Sequence, residues 1–267
     1  MSVTPVQKGT LEYLVSENIS VPHCFTTRLG GVSQGYLKSL NIGTSRGDAL
    51  SNVVANYRIL GNALGFEPED TVFTRQTHSD IVRIVGADDR GTGLFKPNTA
   101  ECDALVTNTP GVVLVVFTAD CTPILLHDPV TGAVGAAHAG WRGTAADIGG
   151  KTVNAMVRAF GCDPRNIRAA IGPNIGPCCF ETDADVPQAM LAQLGAEAEK
   201  WIEARGEKFY VNLKAINAQL LRRAGVSQID ISEACTACDT LRYWSARRFG
   251  DKRGSQGAII VCKEAEK

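Results

Sequence analysis

The spacing of apolar residues predicts the helices of this chain. Over residues 52–64, apolar side chains recur every three or four positions, as on the buried face of an amphipathic helix, and Gly65 follows as a stop signal. The same period predicts a helix that begins after Gly143 and ends at Phe160, and further helices over residues 185–194 and 213–224.

Runs of β-branched and other apolar residues predict the strands. They cover residues 21–27, 71–76, 81–85, 111–118, 124–128, 133–138, 167–171 and 258–261. Pro129–Gly132 separates the fifth and sixth runs as a hairpin turn. We expect 21–27 to be an edge strand, reversed by Gly30 and Gly31. Because strands and helices do not alternate regularly, the pattern favours an α+β fold with mixed sheets, and no repeat or linker divides the single domain predicted over 1–267.

Charge and composition limit the classes of partner that the chain is expected to bind. Lys and Arg number 27 against 28 Asp and Glu, so the net charge of -1 gives no electrostatic reason for binding nucleic acid or an anionic membrane. The start of the chain lacks the apolar core of a signal peptide, and the longest apolar run, 111–117, is too short to cross a bilayer. We expect a cytoplasmic protein, monomeric, that acts on a small molecule and has no disulfides among its nine cysteines.

Histidine is scarce, which makes each copy informative. The chain has four: His23, His78, His127 and His138. Two of them, His78 and His138, lie at predicted strand ends, as does Cys121, and two imidazoles with one thiolate suit a catalytic zinc that keeps an open position. The plainer interpretation, half-buried imidazoles and a small buried thiol, is left open by the spacing alone.

The other cysteines give a weaker signal. Cys235 and Cys238 form a lone Cys-x-x-Cys pair without a nearby histidine, and Cys178 and Cys179 are adjacent, which makes binding of one ion by both difficult. We therefore expect no metal at either pair.

Several sequence blocks resemble a known family, the YfiH/LACC1 or laccase-domain family, also called the peptidoglycan-editing-factor family. The resemblance runs from about residue 20 to near residue 260. It is carried by Phe25-Thr26-Thr27-Arg28-Leu29-Gly30-Gly31-Val32-Ser33, Gln76-Thr77-His78-Ser79, Ala119-Asp120-Cys121-Thr122-Pro123, His138-Ala139-Gly140-Trp141-Arg142-Gly143 and Ile171-Gly172-Pro173-Asn174-Ile175.

The resemblance implies a four-layer α/β/β/α arrangement with mixed sheets and a zinc ion held by His78, Cys121 and His138. It also implies phosphorolysis of adenosine and inosine, with adenosine deaminase and S-methyl-5'-thioadenosine phosphorylase as side activities. Copper is the alternative metal for the same three ligands.

Phosphorolysis of a nucleoside needs cationic or hydrogen-bonding groups for phosphate and ribose. Arg28 and Arg142, each at a glycine-flanked turn, are our candidates for anion or ribose contacts. Asn41 and Asp48 match a further family block and are candidates for the pocket lining, with turn formation as the alternative. Asp120 is the carboxylate next to Cys121 in sequence, and the sequence leaves its role open.

Three other functions compete with phosphorolysis. A multicopper oxidase needs about ten imidazoles, far more than the four present. A cysteine hydrolase would use Cys121 as nucleophile with His78 or His138 as base, and cleavage of a wrongly attached amino acid in peptidoglycan precursors belongs to this class. The third is a zinc-stabilised binding module without catalysis, although an open three-ligand site is unusual for structural zinc.

Overall fold

The computed structural model describes residues 3–265. Its strands in that range are β1 (Val3–Lys8), β2 (Leu11–Ser16), β3 (His23–Thr26), β4 (Thr71–Phe73), β5 (Val82–Ile84), β6 (Ala104–Thr107), β7 (Val113–Thr118), β8 (Thr122–His127), β9 (Val134–Ala139), β10 (Arg168–Ile171), β11 (Glu181–Thr182), β12 (Ile202–Arg205), β13 (Lys208–Val211), β14 (Gln228–Ile231) and β15 (Gln256–Val261). The α-helices are α1 (Leu50–Leu64), α2 (Trp141–Ala145), α3 (Ile148–Phe160), α4 (Asp185–Leu194), α5 (Leu213–Arg223) and α6 (Ala246–Phe249).

The strands form two large mixed sheets and one small sheet. The first large sheet has the order β1-β2-β3-β15-β7-β4, in which only the β4–β7 pair is parallel. The second has the order β14-β10-β8-β9-β6-β5, with parallel pairs at its two edges. Strands β11, β13 and β12 make the small antiparallel sheet.

Three apolar clusters join the layers. Leu114 and Ile260 of the first sheet share a buried cluster with Leu125 of the second, so the two sheets pack face to face. The outer face of the first sheet packs on α1, and the outer face of the second packs on α3 and α5. The predicted α+β fold with four layers and mixed sheets is thereby confirmed, because each sheet buries one face on the other and one on helices.

Most predicted elements are present with shifted ends. The helix predicted up to Phe160 is divided into α2 and α3 at Asp147, whose φ of 56° is left-handed and whose side chain caps α3 by accepting a hydrogen bond from Gly150 N. The expected hairpin is the antiparallel pair β8–β9. The edge-strand prediction for 21–27 is wrong: β3 is interior, because β15 returns to pair with it on the side away from β2.

The second sheet positions one loop cluster at its edge. The turn from β7 to β8 carries residues 119–121, β9 ends at Ala139, and the chain between β4 and β5 passes beside β6. Pro123 of β8 pairs with His138 of β9, which places the start of one strand beside the end of the other. Among the residues described, no helix has the length and apolar content to cross a membrane.

Candidate active site

Three possible metal ligands meet where these strands end. The Sγ atom of Cys121 lies 3.8 Å from Nε2 of His78, and the rings of His78 and His138 stand nearly perpendicular with centroids 4.9 Å apart. One donor atom from each of the three residues lies within 4.8 Å of the others. His138 is buried and His78 exposed, so the three groups line one wall of a site that opens to solvent.

A buried carboxylate, Asp103, fixes two of the three ligands. Its Oδ1 accepts from Nδ1 of His138 at 2.8 Å, which directs Nε2 of that ring towards Cys121. The same carboxylate accepts from the backbone N–H groups of Thr77, His78 and Ser79 and from the Ser79 hydroxyl. Metal-binding histidines usually donate their second N–H to such a group, which fixes tautomer and ring orientation.

The backbone around the ligands is unusual. His78 has a φ of 60° and Asp120 a φ of 91°, in the left-handed region that costs a non-glycine residue about 1–3 kcal/mol. The neighbouring Gly140 leaves the space the ligands need, because a Cβ there would lie 2.8 Å from Cδ2 of His78 and 3.3 Å from Sγ of Cys121. The site is therefore shaped by backbone constraints as well as by side chains.

Asp120 points away from the three ligands. Its Oδ1 accepts from the Thr236 hydroxyl at 2.6 Å, and its Oδ2 accepts from the Ser245 hydroxyl and the Arg247 backbone N–H. Both oxygens are thus used to tie the segment after β14 to the turn that carries Cys121. The arrangement supports a positioning role for Asp120, and gives no support to a role as acid or base at the metal.

The charges of the site favour a thiolate. Burial alone would raise the pKa of Cys121, but the charge and hydrogen bonds of His138 and His78 outweigh it and lower the pKa to about 6. Burial would likewise lower the pKa of His138, whereas the Cys121 thiolate and Asp103 raise it to about 9. Burial also acts against ionisation of Asp103, yet hydrogen bonds from His138 and Ser79 hold its pKa at about 2.

The donor set fits zinc. One thiolate and two imidazoles are ligands typical of a catalytic zinc site, and they leave a coordination position for water or substrate. The same soft sulfur and nitrogen donors also suit copper. A laccase-type centre of four coppers does not fit, because it needs about ten imidazoles and the chain has four. One of the four, His23, lies in the first sheet and uses both ring nitrogens in contacts with Ser16 N and Val21 O.

A cavity of about 450 Å³ opens beside the ligands, within the range usual for small-molecule sites. His78, Cys121 and His138 line one part of it. Phe73 and Phe117 line another, with ring centroids 5.0 Å apart in an edge-to-face arrangement.

Two arginines of the cavity wall have unused hydrogen-bonding capacity. Arg46 and Arg253 both line the cavity, and each has a buried Nε without a hydrogen-bond partner in residues 3–265. Neither forms an ion pair with a carboxylate there. Burial, and next the charge of Arg46, lower the pKa of Arg253, and they outweigh the negative charges of Asp120, Cys121 and Asp251, which raise it. Two guanidinium groups that line one cavity and have no carboxylate in ion-pair contact are suited to an anion.

The two arginines that we singled out from the sequence lie elsewhere. Arg28 donates to the carbonyls of Thr240 and Lys38 and stacks 3.7 Å from the centroid of the Trp244 ring, so it joins three segments. Arg142 is exposed and lies over the ring of Trp141. Neither is part of the cavity lining.

Asn41 and Asp48 stand behind the cavity wall. Asn41 is buried and donates to Asp48 and to the Gly43 carbonyl, while its own Oδ1 accepts from the N–H groups of Gly43 and Ser255. Asp48 also accepts from Ser33 and Asn52. Their bonds shape residues 43–46, which do line the cavity.

Sequence reasoning missed three features of the site region. Asp103 follows no recognisable metal spacing, and Arg46 and Arg253 are distinguished only by the partners they lack. The third is a cluster of four thiols from Cys178, Cys179, Cys235 and Cys238, whose sulfurs lie within 4.8 Å of one another, contrary to the expectation from their spacing.

Replacing Asp103 tests its support of the ligands. Asp103→Asn should weaken zinc binding about 10- to 100-fold. The neutral side chain of asparagine cannot accept the hydrogen bonds from His138 and from the backbone N–H groups of 77–79 as the carboxylate does. Competition with a zinc-binding chromophore measures the affinity. The part of the zinc binding that is lost in His78→Ala is the part that belongs to this site. Asp163→Asn, which alters only an exposed pair with Arg165, is the control. Unchanged affinity in Asp103→Asn would contradict the assigned role.

Comparison with known proteins identifies the chain's relatives. Residues 22–263 match the family model described as "Multi-copper polyphenol oxidoreductase laccase". A protein of Deinococcus radiodurans named "Purine nucleoside phosphorylase" is 41% identical over 258 residues, covering 96% of this chain and 95% of the relative. Escherichia coli "Purine nucleoside phosphorylase YfiH" is 36% identical over 243 residues, covering 90% and 93% of the two chains.

Solved structures agree with these relatives. The crystal structure of YlmD from Geobacillus stearothermophilus matches with a TM-score of 0.90 at 35% identity and covers 98% of this chain and 100% of that one. The Neisseria meningitidis protein NMB0706 matches with a TM-score of 0.79 at 31% identity, over 98% and 100% of the two chains. The chain therefore belongs to the laccase-domain family that includes YfiH and YlmD.

Proposed function

We propose that this protein is a zinc-dependent purine nucleoside phosphorylase, which converts adenosine or inosine and phosphate to the free base and ribose 1-phosphate. The observation that carries the proposal is the shared cavity: a Cys–His–His ligand set and two arginines without ion-pair partners among residues 3–265 line the same space. Relatives named purine nucleoside phosphorylase cover nearly the whole chain and support it.

The cavity offers separate surfaces for base and phosphate. Phe73 and Phe117 provide an aromatic wall against which a purine ring can pack, and such contacts contribute about 0.5–1.5 kcal/mol beyond the buried area. Phosphate would bind Arg46 and Arg253, whose guanidinium groups line the cavity and can donate to its oxygens. Binding a dianion there also relieves the repulsion between the two guanidinium groups.

His78, Cys121 and His138 would hold the zinc. When bound, the ion supplies a Lewis acid with one open position, able to stabilise negative charge that develops on substrate. The chain's part is to keep the His138 ring and the loop that carries His78 in place, which Asp103 does through the Nδ1 contact and the amides of 77–79. The arginines hold phosphate for attack on the ribose carbon.

The proposed activity predicts release of free base that depends on phosphate. Zinc-loaded protein should release adenine or hypoxanthine from adenosine or inosine only when phosphate is present, with ribose 1-phosphate formed in equal amount. Cys121→Ala should lose this release because it removes a metal ligand, whereas Cys162→Ser, whose thiol contacts Thr131 away from the site, should retain it. Chromatography of base and sugar phosphate measures both products.

Other outcomes of the same assay separate the side activities. Inosine formed from adenosine without phosphate would indicate deamination, and S-methyl-5'-thioadenosine serves as a third substrate for phosphorolysis. No base release from any nucleoside by the zinc-loaded protein would overturn the proposed function.

The phosphate assignment predicts a selective kinetic defect. Arg253→Gln should raise the KM for phosphate about 10- to 100-fold, because it removes a charge-assisted hydrogen bond that contributes about 1.5–3 kcal/mol. The KM for nucleoside should change much less. Arg165→Gln, an exposed residue paired with Asp163, is the matched control. Equal effects of Arg253→Gln on both KM values would argue against a phosphate site at this wall.

A second candidate is a cysteine hydrolase of the type that edits peptidoglycan precursors. The observation that favours it is the lowered pKa of Cys121, about 6, together with His78 Nε2 at 3.8 Å, an arrangement also found for nucleophilic thiolates. In this alternative the thiolate reacts with substrate directly and metal is an inhibitor.

Alkylation distinguishes the two candidates. If Cys121 is a zinc ligand, iodoacetamide should modify it in metal-free protein and fail to do so after one equivalent of zinc is bound, because the coordinated sulfur is a poor nucleophile. Peptide mapping by mass spectrometry locates the label. Rapid labelling of Cys121 in protein as isolated, with hydrolysis of an aminoacyl-muramyl peptide and none of nucleosides, would favour the hydrolase.

A further inference from the structure

The four thiols of Cys178, Cys179, Cys235 and Cys238, here called the thiol cluster, lie outside the cavity described above. Sγ of Cys238 is 3.5 Å from Sγ of Cys178 and 3.4 Å from Sγ of Cys179. Two adjacent cysteines therefore do reach a common neighbour. Cys178 and Cys238 are exposed, so solutes can reach the cluster.

The sheet topology explains how distant cysteines meet. Strands β10 and β14 pair in parallel, so their carboxyl ends lie at the same edge of the sheet. The chain after β10 carries Cys178 and Cys179, and the chain after β14 carries Cys235 and Cys238. A bridge between Asn174 and Cys235 continues the pairing into the loops.

The sulfur positions match a tetrahedral metal site. With a zinc–sulfur distance of about 2.3 Å, the edges of a ZnS₄ tetrahedron are about 3.8 Å long. The two short separations in the cluster are slightly below that length, and all four sulfurs lie within 4.8 Å of one another. No thiol of the described chain is in a disulfide, so all four sulfurs are available as ligands.

The surroundings supply positive charge for such a site, which would be dianionic. Nη2 of Arg248 lies 3.7 Å from Sγ of Cys179, and the Gly176 N–H donates to Sγ of Cys235 at 3.2 Å. The buried ammonium of Lys214 donates to the carbonyls of Ser232 and Ala234, just before Cys235. Hydrogen bonds and cations around a metal thiolate are the usual means of stabilising its charge.

We propose that the thiol cluster binds a second zinc ion, with all four positions filled by cysteine, which locks the loops after β10 and β14 together. A closed tetrathiolate shell is typical of structural zinc. The proposal goes beyond the phosphorylase function and does not depend on it.

The position of the cluster gives the second ion a structural effect on the first site. Thr236, between the two cysteines of the Cys-x-x-Cys pair, donates to Asp120, and its backbone N–H bonds the Asn174 carbonyl. The N–H of Ile175 bonds the Asp120 carbonyl. Both loops held by the cluster thus contact the residue next to Cys121.

Metal analysis tests the proposal directly. Protein expressed with zinc and purified under reducing conditions without chelator should contain about two zinc ions per chain by inductively coupled plasma mass spectrometry, one for each ligand group. Cys121→Ala and the double variant Cys178→Ser with Cys238→Ser should each contain about one, and their combination none. Cys162→Ser, outside both groups, should match the unaltered protein.

A spectroscopic measurement avoids dependence on folding of the serine variants. Cys121→Ala keeps the whole thiol cluster, and its cobalt(II) form should show intense thiolate-to-metal charge transfer and the d–d bands of tetrahedral sulfur coordination. Absence of these bands, or a zinc content of one per chain that Cys121→Ala reduces to none, would overturn the proposal. So would a disulfide between cluster cysteines in protein isolated under reducing conditions, detected by mass spectrometry of the non-reduced peptides.

Discussion

The carboxylate of Asp103 is the constraint on which the candidate site depends. It is fully buried, and its hydrogen bonds go to the ring of His138 and to the loop that carries His78. The backbone carbonyl of Asp103 also accepts a hydrogen bond from the backbone N–H of His138. His138, in strand β9, is therefore held by Asp103 through its backbone as well as through its side chain. Two ligands from separate parts of the chain are thereby fixed relative to one residue just before β6, and the β8–β9 hairpin brings Cys121 to them.

A second buried carboxylate, Asp120, plays the corresponding part on the other side. Its contacts with Thr236, Ser245 and Arg247 attach the segment after β14 to the turn before β8. The two carboxylates together explain why the backbone at His78 and Asp120 can persist in the left-handed region: hydrogen bonds from several directions outweigh a local cost of a few kcal/mol.

Local patterns in the sequence predict only part of the fold and of the site. The apolar period of α1 and the turn between β8 and β9 are local, and the scarcity of histidine is enough to single out His78 and His138. The interior position of β3 and the meeting of the thiols depend instead on strands that pair across the chain. The charge environment of an arginine is harder still to predict. Arg28 lies two residues before a glycine pair, yet its guanidinium contacts two carbonyls and an indole ring. Arg46 is distinguished only by an unpartnered Nε at the cavity wall.

The positions of Arg46 and Arg253 at one cavity wall affect the stability of the whole folded chain. Two like charges at one wall oppose folding, and an anion that binds only the native protein would offset that penalty and add its own binding free energy. If phosphate binds at these arginines as proposed, the stability of the protein is thermodynamically linked to the phosphate concentration. The phosphate level would then affect the fraction of chains that resist unfolding and proteolysis, in addition to the rate of the proposed reaction.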